Sequence, residues 1–186
     1  MNHYIDILIK PDAEMRKNVL LNKVYTKLQK ALFTLNSTGI GVSFPQYKVM
    51  LGNRLRIHGI EEKLTELQAT DWLGGSAGYC DVSPIQAIPN EVVYRTISRK
   101  QSNMTEAKLR RLIKRDSISL DEIKGYKAKM FQKWLDNPYL ELDSLSNGHK
   151  HRRYIAFGEP VKSNSEGKFD FFGLSKTAAE NQGNVA

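Results

Sequence analysis

The chain has 186 residues, 40% of them hydrophobic, and a formal net charge of +8 at pH 7, a length that buries one sizeable core or two small ones. Its one cysteine, Cys80, excludes an internal disulfide framework and suits a reducing compartment. No run reaches the roughly 18 apolar residues of a membrane span, and the first residues lack the basic-then-apolar order of a secretory signal, so the expected place is the cytoplasm, with no membrane partner.

The chain opens on HYIDILI, an alternating, β-branched run that predicts a strand from His3 ending at Pro11. Apolar residues then recur at Leu20, Val24, Leu28, Ala31 and Leu35, the spacing of an amphipathic helix over about 15–35 with Tyr25, Gln29 and Phe33 on its flank. A second strand follows from Gly39, closed by Pro45, and a third over 54–58. Residues 61–69 predict a short helix with Ile60, Leu64 and Leu67 inward. The glycine cluster at 74–78 predicts a flexible loop and not a phosphate cradle, because no Gly-Lys-Ser/Thr follows it. A strand over 79–82 completes the order β-α-β-β-α-β, the ferredoxin-like arrangement. Pro84 and Pro89 mark the expected boundary. The predicted class is α+β: a ferredoxin-like domain at 1–88, a smaller α/β domain at 89–176, and a disordered tail at 177–186.

A strand over 92–97 leads into SRKQSNMTEAKLRRLIKR, Ser98 to Arg115, where seven cations face one acid, Glu106, and supply +6 of the chain's +8. Asn103, three residues before Glu106, predicts a helix N-cap and a helix over about 104–115. At about 100° per residue, Leu109, Leu112 and Ile113 share one arc, and Lys108, Arg110, Arg111, Lys114 and Arg115 fill the opposite one. Cations so unmixed repel one another unless a polyanion neutralises them, which points to phosphate and hence to nucleic acid. A second helix over 119–135 has Asp121 and Glu122 in its first turn and Ile123, Met130 and Trp134 as apolar positions, and Asn137-Pro138 stops it. A strand over 139–142, a turn-rich segment at 144–148, a strand over 152–157, a hairpin turn at 163–167 and its return strand at 169–172 complete the chain.

Metal chemistry is not expected: His3, His58, His149 and His151 have no ligand spacing, and Cys80 stands alone. Cleavage of RNA needs no metal, because a 2′-hydroxyl can attack the adjacent phosphate once a base removes its proton and cations steady the developing charge. Ser144 and Ser146, beside His149, Lys150, His151, Arg152 and Arg153, form a group of the right chemistry; the same residues read equally well as a polar hairpin next to a basic strand. A DNA-binding protein is disfavoured, since no helix-turn-helix spacing surrounds the basic helix.

HYIDILIKPD (from His3), IGVSFP (from Ile40), LRIH (from Leu55), SRKQ (from Ser98), the arginine-rich helix, SLSNG (from Ser144) and FFGLS (from Phe171) occur in an order and at distances that resemble one family. The chain is similar, over residues 1 to about 176, to the CRISPR-associated endoribonucleases of type I-F systems, which cut repeat RNA in a precursor transcript into guide RNAs. The resemblance implies a ferredoxin-like domain, and a smaller domain whose arginine-rich helix enters the major groove of the repeat stem-loop. It implies that Arg99 and Gln101 read base edges, the pairings Arg–guanine and Gln–adenine being the ones hydrogen-bond geometry favours. Ser144 matches the serine that positions the 2′-hydroxyl and Ser146 its neighbour; His151, with Arg152 beside it, falls where an aromatic stacks under the stem, Tyr154 being the alternative. No cofactor is implied, and the partners are the repeat stem-loop and the other subunits of a type I-F crRNA-guided surveillance complex. Two catalytic positions depart from the family: Gln29 stands where it has a histidine general base, and Phe172 where it has a tyrosine. A carboxamide takes no proton near neutral pH, so impaired cleavage is expected. The alternative is a non-cleaving subunit that caps the crRNA.

Overall fold

The structure is a computed structural model and describes residues 1–10, 12–101, 104–132, 136–143, 148–162 and 168–175. Strands β1 (His3–Ile9), β2 (Gly41–Ser43), β3 (Arg54–Gly59) and β4 (Cys80–Val82) form an antiparallel sheet in the order β2-β3-β1-β4, with helices α1 (Lys17–Thr34) and α2 (Glu61–Ala69) as its two crossovers. This is the ferredoxin-like arrangement expected from the order of elements. Period-two alternation turns Ile5, Ile7 and Ile9 inward, paired across the ladders with Ile57, Leu55 and Cys80, and Leu20, Leu21, Val24, Leu28 and Leu32 of α1 are buried in the same cluster. Each such side chain contributes roughly 1.5–3 kcal/mol when fully buried. The opposite face carries Asp6, whose carboxylate accepts from Arg56 Nε at 2.7 Å and Nη2 at 2.9 Å and from Arg54 Nη1 at 3.2 Å, so these two arginines are already engaged. His58 is wholly buried with its Nε2 2.8 Å from Ser43 Oγ, and desolvation, reinforced by the Arg56 charge, pushes its imidazole down to about 3.

A second antiparallel sheet has the order β6-β8-β7, from strands β6 (Ile97–Lys100), β7 (Tyr139–Asp143) and β8 (Lys150–Phe157), with helices α3 (Glu106–Lys114) and α4 (Leu120–Gln132) between β6 and β7. Its inward residues Ile97, Leu140, Leu142 and Ile155 join the buried cluster of the first sheet, together with Phe169 and Leu174. The junction is pinned by backbone as well: Phe169 N donates to Thr38 O at 3.0 Å and Val42 N to Gly173 O at 2.9 Å. Gly173 sits at φ 69°, and a Cβ there would lie 2.8 Å from Val42 Cγ1, so glycine alone lets this turn meet β2. Among the described residues no helix is long and apolar enough to cross a membrane.

Several expected details differ. Tyr25, read as a flank residue of the first helix, is buried, while Phe33 is 61% exposed. Ile60 is not inward but 45% exposed, because it is the N-cap of α2 and precedes the helical stripe. The glycine segment is an ordered 3₁₀ turn, Gly74–Tyr79, and between Pro84 and Pro89 a short strand β5 (Gln86–Ala87) pairs with β1. The strand expected over 92–97 begins only at Ile97; Tyr94 makes a single bridge to Val161, and the ladder continues through Lys100. The expected return strand at 169–172 is a turn in which Asp170 Oδ1 accepts from the Phe172 and Leu174 amides, both at 2.9 Å. Trp134, the turn at 163–167 and the tail at 177–186 lie outside the described residues.

Candidate nucleic-acid interface and cleavage site

The arginine-rich segment folds in two parts. Ser98, Arg99 and Lys100 belong to β6, and the helix begins only at Glu106. Its N-cap is Thr105, whose hydroxyl accepts from the Lys108 amide at 3.2 Å; the expected cap, Asn103, lies outside the described residues. Tyr126 of α4 ties down this end, its hydroxyl accepting from Thr105 N at 3.0 Å. Helix α4 has a capping box of its own. Ser119 Oγ accepts from the Glu122 amide at 3.3 Å and Glu122 Oε2 from the Ser119 amide at 2.8 Å, which holds that carboxyl below its usual range. The Ser-x-x-Glu spacing that carries this box is plain in the sequence.

Helix α3 anchors through Leu109, which is buried, whereas Ile113, expected on the packed arc, is 47% exposed. Lys108, Arg110, Arg111, Lys114 and Arg115 are all exposed. Glu106 pairs with Arg110 at 3.1 Å, an exposed i,i+4 contact of small worth, and the helix has no other acid. Arg111 leans on its own helix, Nε to Ala107 O at 3.3 Å. At the mouth of this helix Arg99 and Gln101 are both exposed, and with its amide oxygen turned toward Arg99, Gln101 accepts from Nη2 at 2.8 Å. The two expected base readers thus meet each other.

The second group forms where the sheets meet. Asn22 Oδ1 accepts from the Glu141 amide at 3.2 Å, and Asn18 lines the same cavity of about 380 Å³ as Pro138 and Tyr139, so β7 runs alongside α1 in the same direction. Gln29 lies about 10 Å further along the helix than Asn22 and on the same stripe, since seven residues turn through about 700°. Asp143 ends β7 about 7 Å beyond Glu141, so the strand runs toward the turn of α1 that carries half-buried Gln29. On either side of Gln29 the helix touches the 171–172 turn: Tyr25 Oη donates to Phe172 O at 2.5 Å, and the Phe33 and Phe171 rings meet edge to face at 5.5 Å. Gln29 and Phe172 are therefore brought into one region, joined by Tyr25. Ser144 and Ser146 lie outside the described residues.

β8 splits the remaining candidates. Its register places His151 opposite Leu142 and Arg153 opposite Leu140 on the buried face, whereas Arg152 and Tyr154 lie on the other face and line the cavity shared with Asn18. Arg152 is held on that outer side by Glu141, Nε to Oε1 at 3.3 Å, and lies over the Tyr139 ring at 4.5 Å. The Tyr154 ring is 5.4 Å from that of Tyr139. Arg153 is buried against the Phe172 ring, its guanidinium carbon 3.4 Å from the ring centroid. In the sequence Arg153 is one more cation in a basic run; the signal that marks it is its even spacing from Ile155, the buried residue two places on.

Against known proteins, the chain matches the family described as "CRISPR-associated protein (Cas_Csy4)" over residues 4–180. The chain belongs to this family. It is 34% identical over 179 residues to the CRISPR-associated endonuclease Cas6/Csy4 of Escherichia coli (strain UTI89 / UPEC), covering 96% of this chain and 97% of that protein. It is likewise 34% identical over 180 residues to the CRISPR-associated endonuclease Cas6/Csy4 of Pseudomonas aeruginosa (strain UCBPP-PA14), covering 95% and 96%. The match runs through both sheets and both groups of candidate residues, so this Csy4-family chain carries its exposed cationic helix and its Gln29–Phe172 region within one matched segment.

Proposed function

We propose that this chain binds a CRISPR repeat stem-loop and is, by family type, a metal-independent endoribonuclease whose cutting step is impaired by Gln29. The observation that carries the reading is the exposed face of α3, where Arg111, Lys114 and Arg115 stand on a helix whose one acid is spent on Arg110. The groove of an RNA stem lines such a face with phosphates. Arg99 and Gln101 release each other and turn to base edges, and His151 lies under the end of the stem.

In the reaction the 2′-oxygen forms a bond to the adjacent phosphorus as the bond to the 5′-oxygen breaks. The 2′ proton passes to a base and the leaving 5′-oxygen gains a proton, which yields a 2′,3′-cyclic phosphate and a 5′-hydroxyl. Ser144 holds the 2′-hydroxyl, Ser146 supports it, and position 29 supplies the base. Glutamine can hydrogen-bond the hydroxyl but cannot accept its proton, and Phe172 offers no hydroxyl of its own. Gln29 also favours a second reading, a non-cleaving subunit that caps the guide RNA among the other subunits of a type I-F surveillance complex.

Incubation with repeat RNA in EDTA, with assay for a fragment ending in a cyclic phosphate, tests the first reading. Gln29→His is expected to raise the cleavage rate by roughly 10²- to 10⁴-fold, the contribution of a positioned general base. The rate should then rise with pH through an imidazole titration near about 6.5, and Ser144→Ala in that background should slow cutting with little loss of affinity. A chain that already cuts at a rate Gln29→His does not improve has its base elsewhere.

A further inference from the structure

We propose that Arg153 is an RNA-binding residue of the cleavage site: its guanidinium, stacked on Phe172 and set beside Arg99, takes a phosphodiester oxygen of the bound RNA. The proposal rests on the reading that this chain binds an RNA hairpin.

Arg153 is 6% exposed, and its Nε is fully buried without a hydrogen-bond partner. Among the described residues its guanidinium makes no hydrogen bond and has no carboxylate within ion-pair distance; its one close partner is the Phe172 ring. A ring face attracts a cation but accepts none of the five N–H donors of a guanidinium. Buried polar groups are ordinarily satisfied, and buried charges are ordinarily paired, because an unpaired one carries its full desolvation cost. That burial pushes the Arg153 guanidinium below its usual range, a push that Arg99 adds to and that Tyr25 and Asp170 only partly oppose.

The surroundings say what is missing. On the β6-β8 ladder Arg99 pairs with Ile155, two residues from Arg153, so both cations project from the same face of the sheet. Tyr25 faces Arg153 from α1, but its hydroxyl proton is given to Phe172 O; Asp170 faces it from the turn, with Oδ1 given to two backbone amides. Two like charges side by side, one nearly desolvated and, among the described residues, neither in an ion pair with a carboxylate, suit an anion with oxygens to share between them. A phosphate is such an anion, and a guanidinium fork matches it geometrically. The place is also right: Phe172, on which Arg153 stacks, is tied through Tyr25 to the turn of α1 that carries Gln29. A cation there steadies charge on a phosphate, a role separate from proton removal at position 29.

The test couples the side chain to single phosphates. Repeat hairpins in which one phosphate at a time, along the 3′ base of the stem, is replaced by an uncharged methylphosphonate are titrated against the full chain and against Arg153→Met. With the unaltered chain one position should weaken binding about 10- to 100-fold, the size of one charge-assisted hydrogen bond, and with Arg153→Met the same position should cost nothing. Thermal melting supplies the second readout. A merely structural arginine loses stability when replaced, whereas an unpaired buried charge exchanged for an apolar side chain of similar size should leave the melting temperature unchanged or higher. Arg153→Lys, which keeps the charge but loses the fork, should restore part of the coupling. Losses that simply add at every position, or a lowered melting temperature with unchanged coupling, overturn the proposal. A hairpin bound tightly with no coupled position sinks Arg153 alone; no hairpin binding at all sinks this proposal together with the function it rests on.

Discussion

Replacing Arg111 and Arg115 together by alanine tests the α3 interface where its charge is least compromised. The two lie one helical turn apart on an exposed stripe, Glu106 is committed to Arg110, and neither residue belongs to the buried cluster. Alanine is the better helix former, so α3 should persist with Leu109 still anchored. Each cation that neutralises a phosphate contributes about one unit to the slope of log affinity against log salt. Losing two should flatten that slope by about two units. Between about 50 and 200 mM salt, a fourfold change, each contact multiplies the loss of affinity by about four, so the double variant should lose about 16-fold less affinity over that range than the unaltered chain. Fluorescence anisotropy of a labelled hairpin across a salt series measures this, with circular dichroism to verify the helix. Weaker binding with an unchanged slope would mean that these arginines do not meet phosphates, and unchanged affinity and slope would remove α3 from the interface.

Arg99→Ala and Gln101→Ala should each cost about 1–3 kcal/mol on the cognate stem and much less on a stem with altered base pairs at the contacted positions; equal losses on both RNAs would leave only backbone contacts. His58 should make stability fall with acid. Its folded value of about 3 lies below the ordinary 6.5, so the unfolded chain binds the proton more readily. Stability is then fully present above about 6.5 and declines as pH falls toward about 3, by about 2 kcal/mol at pH 5. Urea unfolding of the chain and of His58→Gln should accordingly show a stability gap that narrows by that amount between pH 7 and pH 5, and a constant gap would refute the assignment. Thr105→Ala removes the side-chain cap from the Lys108 amide while Tyr126 still holds the Thr105 backbone, and should lower stability by about 1 kcal/mol in the same assay.

What the sequence determined by itself is what depends on neighbours along the chain. The alternation of HYIDILI located β1 and its start at His3, because a strand with one covered face must alternate, and the Glu61–Ala69 helix came out with its bounds intact. The unmixed charge of α3 was equally local: no packing changes which residues in that helix are cations. The ordered motifs carried the family, which the match over residues 4–180 bears out. Tertiary structure decided the rest. A periodic pattern says which residues share a stripe but not how wide a stripe its partner covers, so Tyr25 came out buried once the 171–175 turn closed over α1, and Ile113 stayed exposed because α3 anchors chiefly through Leu109. A two-residue strand such as β5 has too little sequence to show a period, and exists because β1 offers it an edge. Arg153 is the clearest case. Within KHRRYIAF it is chemically indistinguishable from Arg152, and only the register of β8, with Arg153 on the buried face and Arg152 on the other, leaves Arg152 paired with Glu141 and Arg153 buried against Phe172.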